Sequence, residues 1–316
     1  MTKNKEVYKH LNFYGKECYL AYSLKGFYYS ARSYFIFISV CYHDVNEFST
    51  SNSKIVQLWH GTPLKKNDLT KLNENYDYFL IACKLFMEEQ KMFSKYDGKI
   101  LLTGYPRNDY LINKKNSKKS KKYDYTFLFL PTHRYRTYNG ENQRVRFFDL
   151  FDYGFVLNDL SNFLIKYNCI LKIKLHPMQK FKDDNFFKTV SSCHNIDLIE
   201  DDPIIDVNEY LTDCDALITD YSSVMFDFLL LDKPIFLSPF DINENNIKNS
   251  FRFDYVLNAP GIISYTWSEL IDNLECHIKY GDKQNVKREM IKNKFNHFFD
   301  NKSSERLFMR LTKELS

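Results

Sequence analysis

The stretch Ala216-Leu-Ile-Thr-Asp-Tyr-Ser-Ser-Val-Met-Phe-Asp-Phe228 decides the fold class, because it joins a short apolar run to a segment with helical spacing. The first four residues suit a buried strand, and the two serines stand where a helix begins. A strand that leads directly into a helix is the repeating unit of a parallel α/β sheet. This stretch therefore predicts an α/β fold.

Similar apolar runs recur along the chain, each bounded by turn or charge signals. In the first half these runs are Glu17–Tyr22, Tyr34–Val40, Ile55–Trp59, Tyr78–Ala82 and Ile100–Leu102. In the second half they are Thr126–Leu130, Ile170–Leu175, Ile196–Ile199, Ala216–Thr219 and Pro234–Leu237. Segments with helical periodicity lie between many of them, among them Lys84–Phe93, Phe151–Tyr167, Val207–Thr212 and Val224–Leu231. Strands that alternate with helices predict βαβ units in parallel sheets.

The domain boundary is predicted from residues 113–123, a segment that carries six lysines and lacks apolar residues. We interpret it as a linker between a first domain, residues 1–112, and a second domain, residues 124–285. Residues 286–316 are predicted to form two helices, the second capped by Ser303. A lysine-rich linker is most often a solvated tether; the alternative, which we slightly prefer, is that it binds anionic lipid.

Composition excludes several classes of protein. The chain has 316 residues, which suits about two domains. Hydrophobic residues make up 44% and charged residues 27%, values that exclude a disordered chain and a disulfide scaffold. A net charge of +4 is too small to indicate a nucleic-acid partner. The seven cysteines are odd in number and never spaced as Cys-x-x-Cys, which predicts reduced thiols in a cytoplasmic protein.

Aromatic residues make up 17% of the chain, more than a core of this size needs. We expect some of these rings to line a groove or to face a membrane. The most apolar early run, Ser33–Tyr42, is too short to span a bilayer, which requires about 20 residues. Any membrane contact is therefore expected to be peripheral.

Two histidines directly follow predicted strands. His60 follows Ile55–Trp59, and His176 follows Ile170–Leu175. Ligands of open parallel sheets bind beyond the carboxyl ends of the strands. A single strand-end histidine is more often a structural hydrogen-bonding residue than a catalytic one. A catalytic role for these histidines is therefore supported only together with the polar residues at the other strand ends.

Those polar residues suit an anionic ligand. Ser222 and Ser223 stand at a helix start, where backbone N–H groups favour phosphate. His133 and Arg134 follow the strand Thr126–Leu130. Neighbouring residues of an extended strand point in opposite directions, and we expect Arg134 to face the ligand because its guanidinium suits phosphate.

Carboxylates in the same region have simpler interpretations beside the functional ones. Asp220 is suited to capping the following helix, and Asp227 to accepting a buried N–H. Asp213-Cys-Asp215 has metal-binding spacing, but it precedes its strand and so lies at the wrong edge of the sheet. No Walker loop, His-Glu-x-x-His or Gly-x-Gly-x-x-Gly sequence occurs. We therefore predict that no metal or other cofactor is required.

Five segments, in this order and spacing, together resemble the CDP-glycerol glycerophosphotransferase family, which contains teichoic-acid polymerases, primases and related capsule enzymes. The segments are Gln57–Lys66, Thr103–Asp109, Pro131–Arg134, Lys174–Pro177 and Leu217–Phe228. The resemblance extends from about Tyr19 to Ser303-Ser-Glu-Arg306. It implies a GT-B-like architecture, in which two Rossmann-like domains face a cleft and the terminal helices pack back on the first domain.

The resemblance also implies roles for individual residues. His60 looks like the general base that accepts the proton of the acceptor hydroxyl, and His176 like a second catalytic residue that donates to phosphate. The positions similar to substrate-binding residues are Gly61, Arg134, Thr219, Ser222, Ser223 and Asp227. Arg134, His176, Ser222 and Ser223 would hold the donor pyrophosphate, with Thr219 beside them and Asp227 in support or near the nucleotide.

The function that this resemblance implies is transfer of glycerol phosphate from CDP-glycerol to a lipid-linked teichoic-acid or capsule polymer, with release of CMP. It implies a peripheral protein at the cytoplasmic face of the membrane, in contact with an anionic surface. The alternatives are a CDP-ribitol-dependent transferase, a nucleotide-sugar glycosyltransferase or epimerase of the same architecture, and a non-catalytic partner subunit.

The first half departs from the resemblance in one respect, because only about 50 residues precede the His60 segment. Family members carry an additional leading strand and helix there, so the amino-terminal domain is expected to be abridged. Three explanations stay open: a reduced sheet, further sequence upstream, or a protein partner or second copy that covers the exposed edge.

Overall fold

A computed structural model describes residues 1–39, 53–62, 64–66, 76–87, 98–117, 122–133, 135–138, 141–144, 147–148, 151, 153–176, 180–181, 184–243, 247 and 250–315. The chain forms two compact units. Unit 1 consists of Met1–Asn113, Asp202–Asp206 and Asn293–Ser316, and unit 2 consists of Lys114–Asp201 and Val207–Lys292.

The sheet of unit 1 is parallel, with the order β1-β2-β3-β4 among the described strands. These strands are β1 (Phe35–Ile38), β2 (Lys54–Gln57), β3 (Tyr78–Ile81) and β4 (Lys99–Leu102). Every residue of β3 is buried, as is typical of a parallel strand covered on both faces. The carboxyl ends of β1, β2 and β4, each followed by polar residues, therefore lie at one edge of this sheet.

The larger sheet of unit 2 is also parallel, with the order β11-β9-β5-β12-β13-β14. Its strands are β5 (Tyr125–Leu130), β9 (Cys169–Ile173), β11 (Ile196–Leu198), β12 (Ala216–Thr219), β13 (Ile235–Leu237) and β14 (Ile262–Ile263). Four shorter strands form an antiparallel pair, β6 (Tyr135–Tyr138) with β7 (Glu141–Arg144), and a parallel pair, β8 (Phe147–Phe148) with β10 (Lys180–Phe181). The predicted class, α/β with two parallel sheets, is confirmed.

The helices have the following bounds: α1 Lys5–Phe13, α2 Leu24–Arg32, α3 Asn108–Lys114, α4 Leu157–Lys166, α5 Asp184–Ser191, α6 Val207–Asp213, α7 Val224–Phe228, α8 Trp267–Tyr280, α9 Asn285–Phe295 and α10 Ser303–Thr312. A short 3-10 helix, Leu229–Leu231, follows α7. The core of unit 2 packs around Trp267 of α8, whose ring stacks on Phe151 with centroids 5.4 Å apart. Burial of such large rings is the main stabilising contribution of this layer.

One predicted strand is wrong. Within the described residues, Glu17–Tyr22 contributes only an isolated bridge between Thr2 and Leu20. The reason is the local capping chemistry that follows it, because the hydroxyl of Ser23 accepts the N–H of Gly26 and starts α2. The chain therefore turns at Ala21 and Tyr22 and enters α2 at Leu24.

The unit boundaries differ from the expected ones at the carboxyl-terminal end. The first, between Asn113 and Lys114, falls beside the predicted end of the first domain at residue 112. The second falls inside α9, after Lys292, and beyond the predicted residue 285. Within unit 2, Lys292 of α9 pairs with Asp232 at 2.6 Å.

Candidate active site

His60 lies at the carboxyl edge of the unit 1 sheet, just after β2, as the strand-end rule predicts. Its side chain is exposed, and its Nδ1 lies 3.3 Å from the carbonyl oxygen of Ser39, which follows the neighbouring strand β1. A carbonyl oxygen only accepts hydrogen bonds, so Nδ1 carries the proton in this contact. The lone pair is then on Nε2, which makes Nε2 the basic atom of the ring.

The backbone on both sides of His60 has positive φ. Trp59 has φ +63° and Gly61 has φ +151°. A tryptophan in the left-handed region is unusual and costs about 1–3 kcal/mol. Two contacts hold it there: the Trp59 N–H donates to Oε1 of buried Gln57 at 2.9 Å, and its ring packs on Phe79 with centroids 5.3 Å apart.

A loop after β4 contacts the His60 backbone from the other side. Arg107 Nη1 donates to the His60 carbonyl oxygen at 2.6 Å, and the Tyr105 hydroxyl lies 3.4 Å from the carbonyl oxygen of Gly61. Both donors belong to Thr103–Asp109, one of the five segments that carry the family resemblance. The resemblance implies no role for this segment. The main chain that carries His60 is therefore held at two consecutive carbonyl groups.

In unit 2, the polar strand ends lie side by side. The strands β9, β5 and β12 are adjacent, and their carboxyl ends lead to His176, to Thr132 and His133, and to Asp220 and the two serines. The rings of His133 and His176 lie with centroids 5.0 Å apart. Imidazole N–H groups donate hydrogen bonds to anionic oxygens, and two neighbouring rings offer two such donors. The pair therefore suits an anionic ligand such as a phosphate.

Sequence reasoning had favoured Arg134 over His133 on the alternation of side chains along a strand. That argument does not remove His133, because the chain leaves β5 at Leu130 and the residues after it are not extended strand. Arg134 lies outside the described residues, so its expected contact with phosphate stays a prediction. The proximity of His133 to His176 required the strand order, which the sequence alone does not contain.

Asp220 forms buried hydrogen bonds at the carboxyl ends of β5 and β12. The carboxylate of Asp220 is fully buried and accepts the Thr132 N–H at 2.9 Å and the Thr132 hydroxyl. Asp220 therefore ties β12 to the loop after β5, and the suggestion that it caps the next helix is wrong. The carbonyl of Asp220 accepts the Tyr255 hydroxyl at 2.8 Å.

The remaining predicted residues of unit 2 have different degrees of exposure. Ser222 and Ser223 are half-buried just before α7, and Ser222 Oγ lies 3.4 Å from the N–H of Val224. Thr219 is fully buried, and its hydroxyl donates to the Leu130 carbonyl at 2.6 Å. Asp227 is buried on α7. The two serines are thus better placed than Thr219 to meet a ligand, and all three donor contacts stay predictions.

Described residues of the acidic segment and of the lysine-rich segment make structural contacts. Asp215, just before β12, accepts the Thr126 N–H at 2.9 Å and so joins the segment between α6 and β12 to β5. Across the described part of the chain, no group of three or more His, Cys, Asp or Glu side chains is placed to hold a metal ion. In the lysine-rich segment, where residues 118–121 are not described, Lys115 pairs with Asp232. Lys115 is therefore held by an ion pair, unlike a lysine of a solvated tether.

The comparisons with known proteins agree with these motifs. A family model described as CDP-Glycerol:Poly(glycerophosphate) glycerophosphotransferase matches residues 2–313. A teichoic acid poly(ribitol-phosphate) polymerase of Bacillus spizizenii W23 is 27% identical over 314 residues, which cover 89% of this chain and 46% of that protein. A teichoic acid glycerol-phosphate transferase of Staphylococcus aureus NCTC 8325 is 26% identical over 298 residues, covering 84% of this chain and 73% of that protein.

The solved structure of the wall teichoic acid polymerase TagF is similar in fold. It superposes with a TM-score of 0.73 at 21% identity, covering 99% of this chain and 86% of that one. At this identity the likeness shows the fold alone, which is GT-B-like. The chain spans about half the length of the Bacillus polymerase that it matches.

Proposed function

The chain belongs to the CDP-glycerol:poly(glycerophosphate) glycerophosphotransferase family, and we propose that it transfers glycerol phosphate from CDP-glycerol to a teichoic-acid or capsule polymer. The observation that carries this proposal is the Nδ1 contact of His60 with Ser39 at the carboxyl edge of a parallel sheet, which leaves Nε2 as the basic atom. The relatives in Bacillus and Staphylococcus, a poly(ribitol-phosphate) polymerase and a glycerol-phosphate transferase, support the same reaction class.

In the proposed reaction, a hydroxyl oxygen of the acceptor attacks the distal phosphorus of CDP-glycerol. A new P–O bond forms, the bond from that phosphorus to the bridging oxygen breaks, and CMP leaves with the bridging oxygen. Nε2 of His60 accepts the hydroxyl proton, a step that contributes typically ~10²–10⁴-fold. The reaction requires no redox partner.

The charge on the two phosphates requires cations and hydrogen-bond donors. We assign this task to His176, Arg134, Ser222 and Ser223, with Gly61, Thr219 and Asp227 as further substrate-binding residues. His133 joins the group because its ring lies beside that of His176. The proposal includes no metal or other cofactor, and turnover in EDTA tests this point.

CDP-ribitol is a second candidate donor, because a relative with 27% identity is a poly(ribitol-phosphate) polymerase. Glycerol and ribitol phosphate differ in length and hydroxyl number but present the same pyrophosphate. The motifs described above contact only the shared part of the two donors in this proposal. They therefore do not distinguish the candidates.

The purified chain tests the donor directly. CMP release is measured with CDP-glycerol, CDP-ribitol and UDP-sugars, each with and without a glycerol-phosphate-primed lipid acceptor and in the presence of EDTA. We expect acceptor-dependent CMP release from CDP-glycerol. Release only from CDP-ribitol supports the second candidate, and release of UDP from a UDP-sugar contradicts both.

We also propose that the acceptor is lipid-linked and that unit 1 binds the cytoplasmic face of an anionic membrane. The support is a set of exposed apolar and aromatic side chains on α1, α2 and the turns beside them, which we call the aromatic patch without implying that its members touch: Phe13, Tyr14, Tyr22, Leu24, Phe27, Tyr28 and Tyr29. Lys3 lies over the ring of Tyr22 at 5.2 Å and Arg32 over that of Tyr28 at 5.3 Å. Rings interleaved with cations suit the headgroup layer of an anionic bilayer.

The aromatic patch is tested by sedimentation with phosphatidylcholine vesicles that contain or lack phosphatidylglycerol. Leu24→Ser removes a side chain that is 91% exposed, and Val286→Ser removes one that is 70% exposed in unit 2. We expect only Leu24→Ser to weaken binding to the anionic vesicles. Equal binding by both variants contradicts the proposal.

Within the described residues, no helix is long and apolar enough to cross a bilayer.

A further inference from the structure

The loop after β4 is attached to the amino terminus of the terminal helix α10. Both carboxylate oxygens of Asp109 accept backbone N–H groups there, from Ser303 at 2.9 Å and from Ser304 at 2.8 Å. Asp109 is 8% exposed. A carboxylate at this end satisfies N–H groups that lack partners in the helix and interacts favourably with the helix dipole. The predicted cap, Ser303, is instead the first residue of the helix.

A second contact holds the start of the same loop. Arg306 of α10 donates from Nε to the carbonyl oxygen of Thr103 at 2.9 Å. Its Nη1 donates to Asp300 at 2.7 Å, and its guanidinium carbon lies 3.7 Å from the centroid of the Phe298 ring. A guanidinium held on several sides in this way has few rotamers left to it. Thr103 begins this segment and Asp109, in the first turn of α3, ends it. We call the whole segment the Thr103–Asp109 loop, and α10 thus fixes both of its ends.

The loop between these ends is itself tightly turned and reaches the backbone of His60. The N–H of Asn108 donates to the Tyr105 carbonyl at 2.9 Å, and the N–H of Asp109 donates to the Pro106 carbonyl at 3.2 Å. Arg107 lies within these turns and donates to the His60 carbonyl at 2.6 Å. The position of the Arg107 guanidinium therefore depends on contacts that α10 makes.

We propose that α10 positions His60 through the Thr103–Asp109 loop, with Asp109, Arg306 and Arg107 as positioning residues. The contact is with the main chain of His60, next to a tryptophan whose left-handed φ needs support from its surroundings. Displacement of a reacting group by about 1 Å costs up to ~10²-fold in rate. The inference rests on the proposed role of His60 as the base.

The primary test is NMR of the full chain with labelled histidine, in which the His60 imidazole signals are assigned from their loss in His60→Asn. Asp109→Asn keeps one acceptor oxygen and places an NH₂ group against the second N–H of α10. We expect this variant to shift the His60 imidazole signals and to lower kcat roughly tenfold, with the KM for the nucleotide donor within about twofold of wild type.

The matched control is Glu314→Gln. Lys99, the first residue of β4, pairs with Glu314 at 2.6 Å, so this variant loosens the terminal segment at the opposite end of β4. We expect it to leave the His60 signals and kcat unchanged. A second pair of variants, Arg107→Ala and Arg107→Lys, serves if Asp109→Asn does not fold; the lysine, which still donates to a carbonyl, is expected to restore part of the rate lost in the alanine variant.

The outcomes separate this inference from the proposed function. His60 signals that move in Asp109→Asn and not in Glu314→Gln support the positioning role. This holds even if the protein turns over no donor; in that case only the proposed function fails. His60 signals and kcat that are unchanged in a folded Asp109→Asn overturn the inference. Equal effects of the two variants also overturn it, because they indicate a general loss of stability.

Discussion

At the scale of single residues, the main feature is the backbone conformation around His60. Trp59 has φ +63°, where a residue with a bulky side chain is strained by about 1–3 kcal/mol. Such strain persists only where surrounding contacts fix it, and here the buried Gln57 and the ring of Phe79 supply them. The consequence is a fixed main chain beside His60, and a general base must be held in position relative to the group that it deprotonates.

Sequence reasoning reached some of these residues and missed others for identifiable reasons. The position of His60 followed from the rule that ligands bind at strand ends, and the structure places it there. The same rule does not specify Trp59, because a left-handed φ at tryptophan leaves no mark in the sequence. It also did not select His133, whose proximity to His176 depends on which strands are neighbours.

Loss of the hydroxyl group is predicted to affect mainly the free energy of unfolding at Thr219 and mainly donor affinity at Ser223. Thr219→Val removes a buried hydrogen bond to Leu130, so we expect it to lower the free energy of unfolding by about 1–2 kcal/mol and to weaken donor binding less than Ser223→Ala does. Ser223→Ala is expected to weaken CDP-glycerol binding roughly tenfold at unchanged stability, because a hydrogen bond to a charged group is lost. Calorimetric titration and denaturant unfolding measure the two quantities; donor binding that weakens only in Thr219→Val contradicts the assignment.

At the scale of secondary-structure elements, Gly104 marks a close approach of the β4 loop to α10. It has φ +76°, and an added Cβ would lie 2.7 Å from the Ser303 hydroxyl oxygen. Gly104→Ala is therefore expected to destabilise unit 1 more than Gly15→Ala, which has φ +68° and open space around it. The shared backbone term is ~1–2 kcal/mol. The steric term adds roughly 1 kcal/mol for Gly104.

The steric origin of that difference has its own control. Ser303→Ala removes the atom that the new Cβ would meet, while the Ser303 Cβ is at an acceptable 3.5 Å. Denaturant unfolding of Gly104→Ala in the Ser303→Ala background should therefore recover part of the loss. Equal destabilisation by Gly104→Ala and Gly15→Ala contradicts a close approach at this site.

A histidine on α8 is predicted to make stability depend on pH. His277 Nε2 lies 2.6 Å from the Tyr125 hydroxyl of β5, and burial lowers the pKa of His277 below its ordinary value of 6.5. Asp282 raises this pKa and Arg288 lowers it, each less than burial does. The unfolded chain therefore binds a proton at His277 more readily than the folded chain does.

The sign follows from linkage. Above the unfolded pKa both states are neutral and the free energy of unfolding is unaffected; as pH falls below about 6.5, the unfolded state gains a proton first and stability declines. We expect urea unfolding to show this decline in wild type and a smaller one in His277→Gln. Identical slopes for the two proteins would remove His277 as the cause.

Element boundaries were predictable only where local chemistry decided them. The strands at 55–57, 78–81 and 216–219 follow from apolar runs with turn signals, and the structure has them. The run Glu17–Tyr22 is equally apolar but is followed by the serine that caps α2. The cap of α10 was predicted at Ser303, while Asp109 supplies it from a distant part of the sequence. Such a partner cannot be read from residues next to the helix.

At the scale of the whole molecule, the class and the family were predictable from the sequence. Alternating strands and helices predicted an α/β fold with two parallel sheets, and the strand-end motifs in order predicted the family that matches residues 2–313. Ion pairs between residues far apart in sequence were not predictable in the same way. Asp232, for example, binds both Lys115 and Lys292, and this lowers its pKa although burial opposes the shift.

The central claim is that His60 acts as the base in transfer of glycerol phosphate. The most direct measurement is acceptor-dependent CMP release from CDP-glycerol in EDTA, with wild type and His60→Asn compared at equal donor occupancy. We predict that wild type releases CMP and that His60→Asn is ~10²–10⁴-fold slower while it binds CDP-glycerol with unchanged affinity. A His60→Asn protein that releases CMP at the wild-type rate would contradict the account.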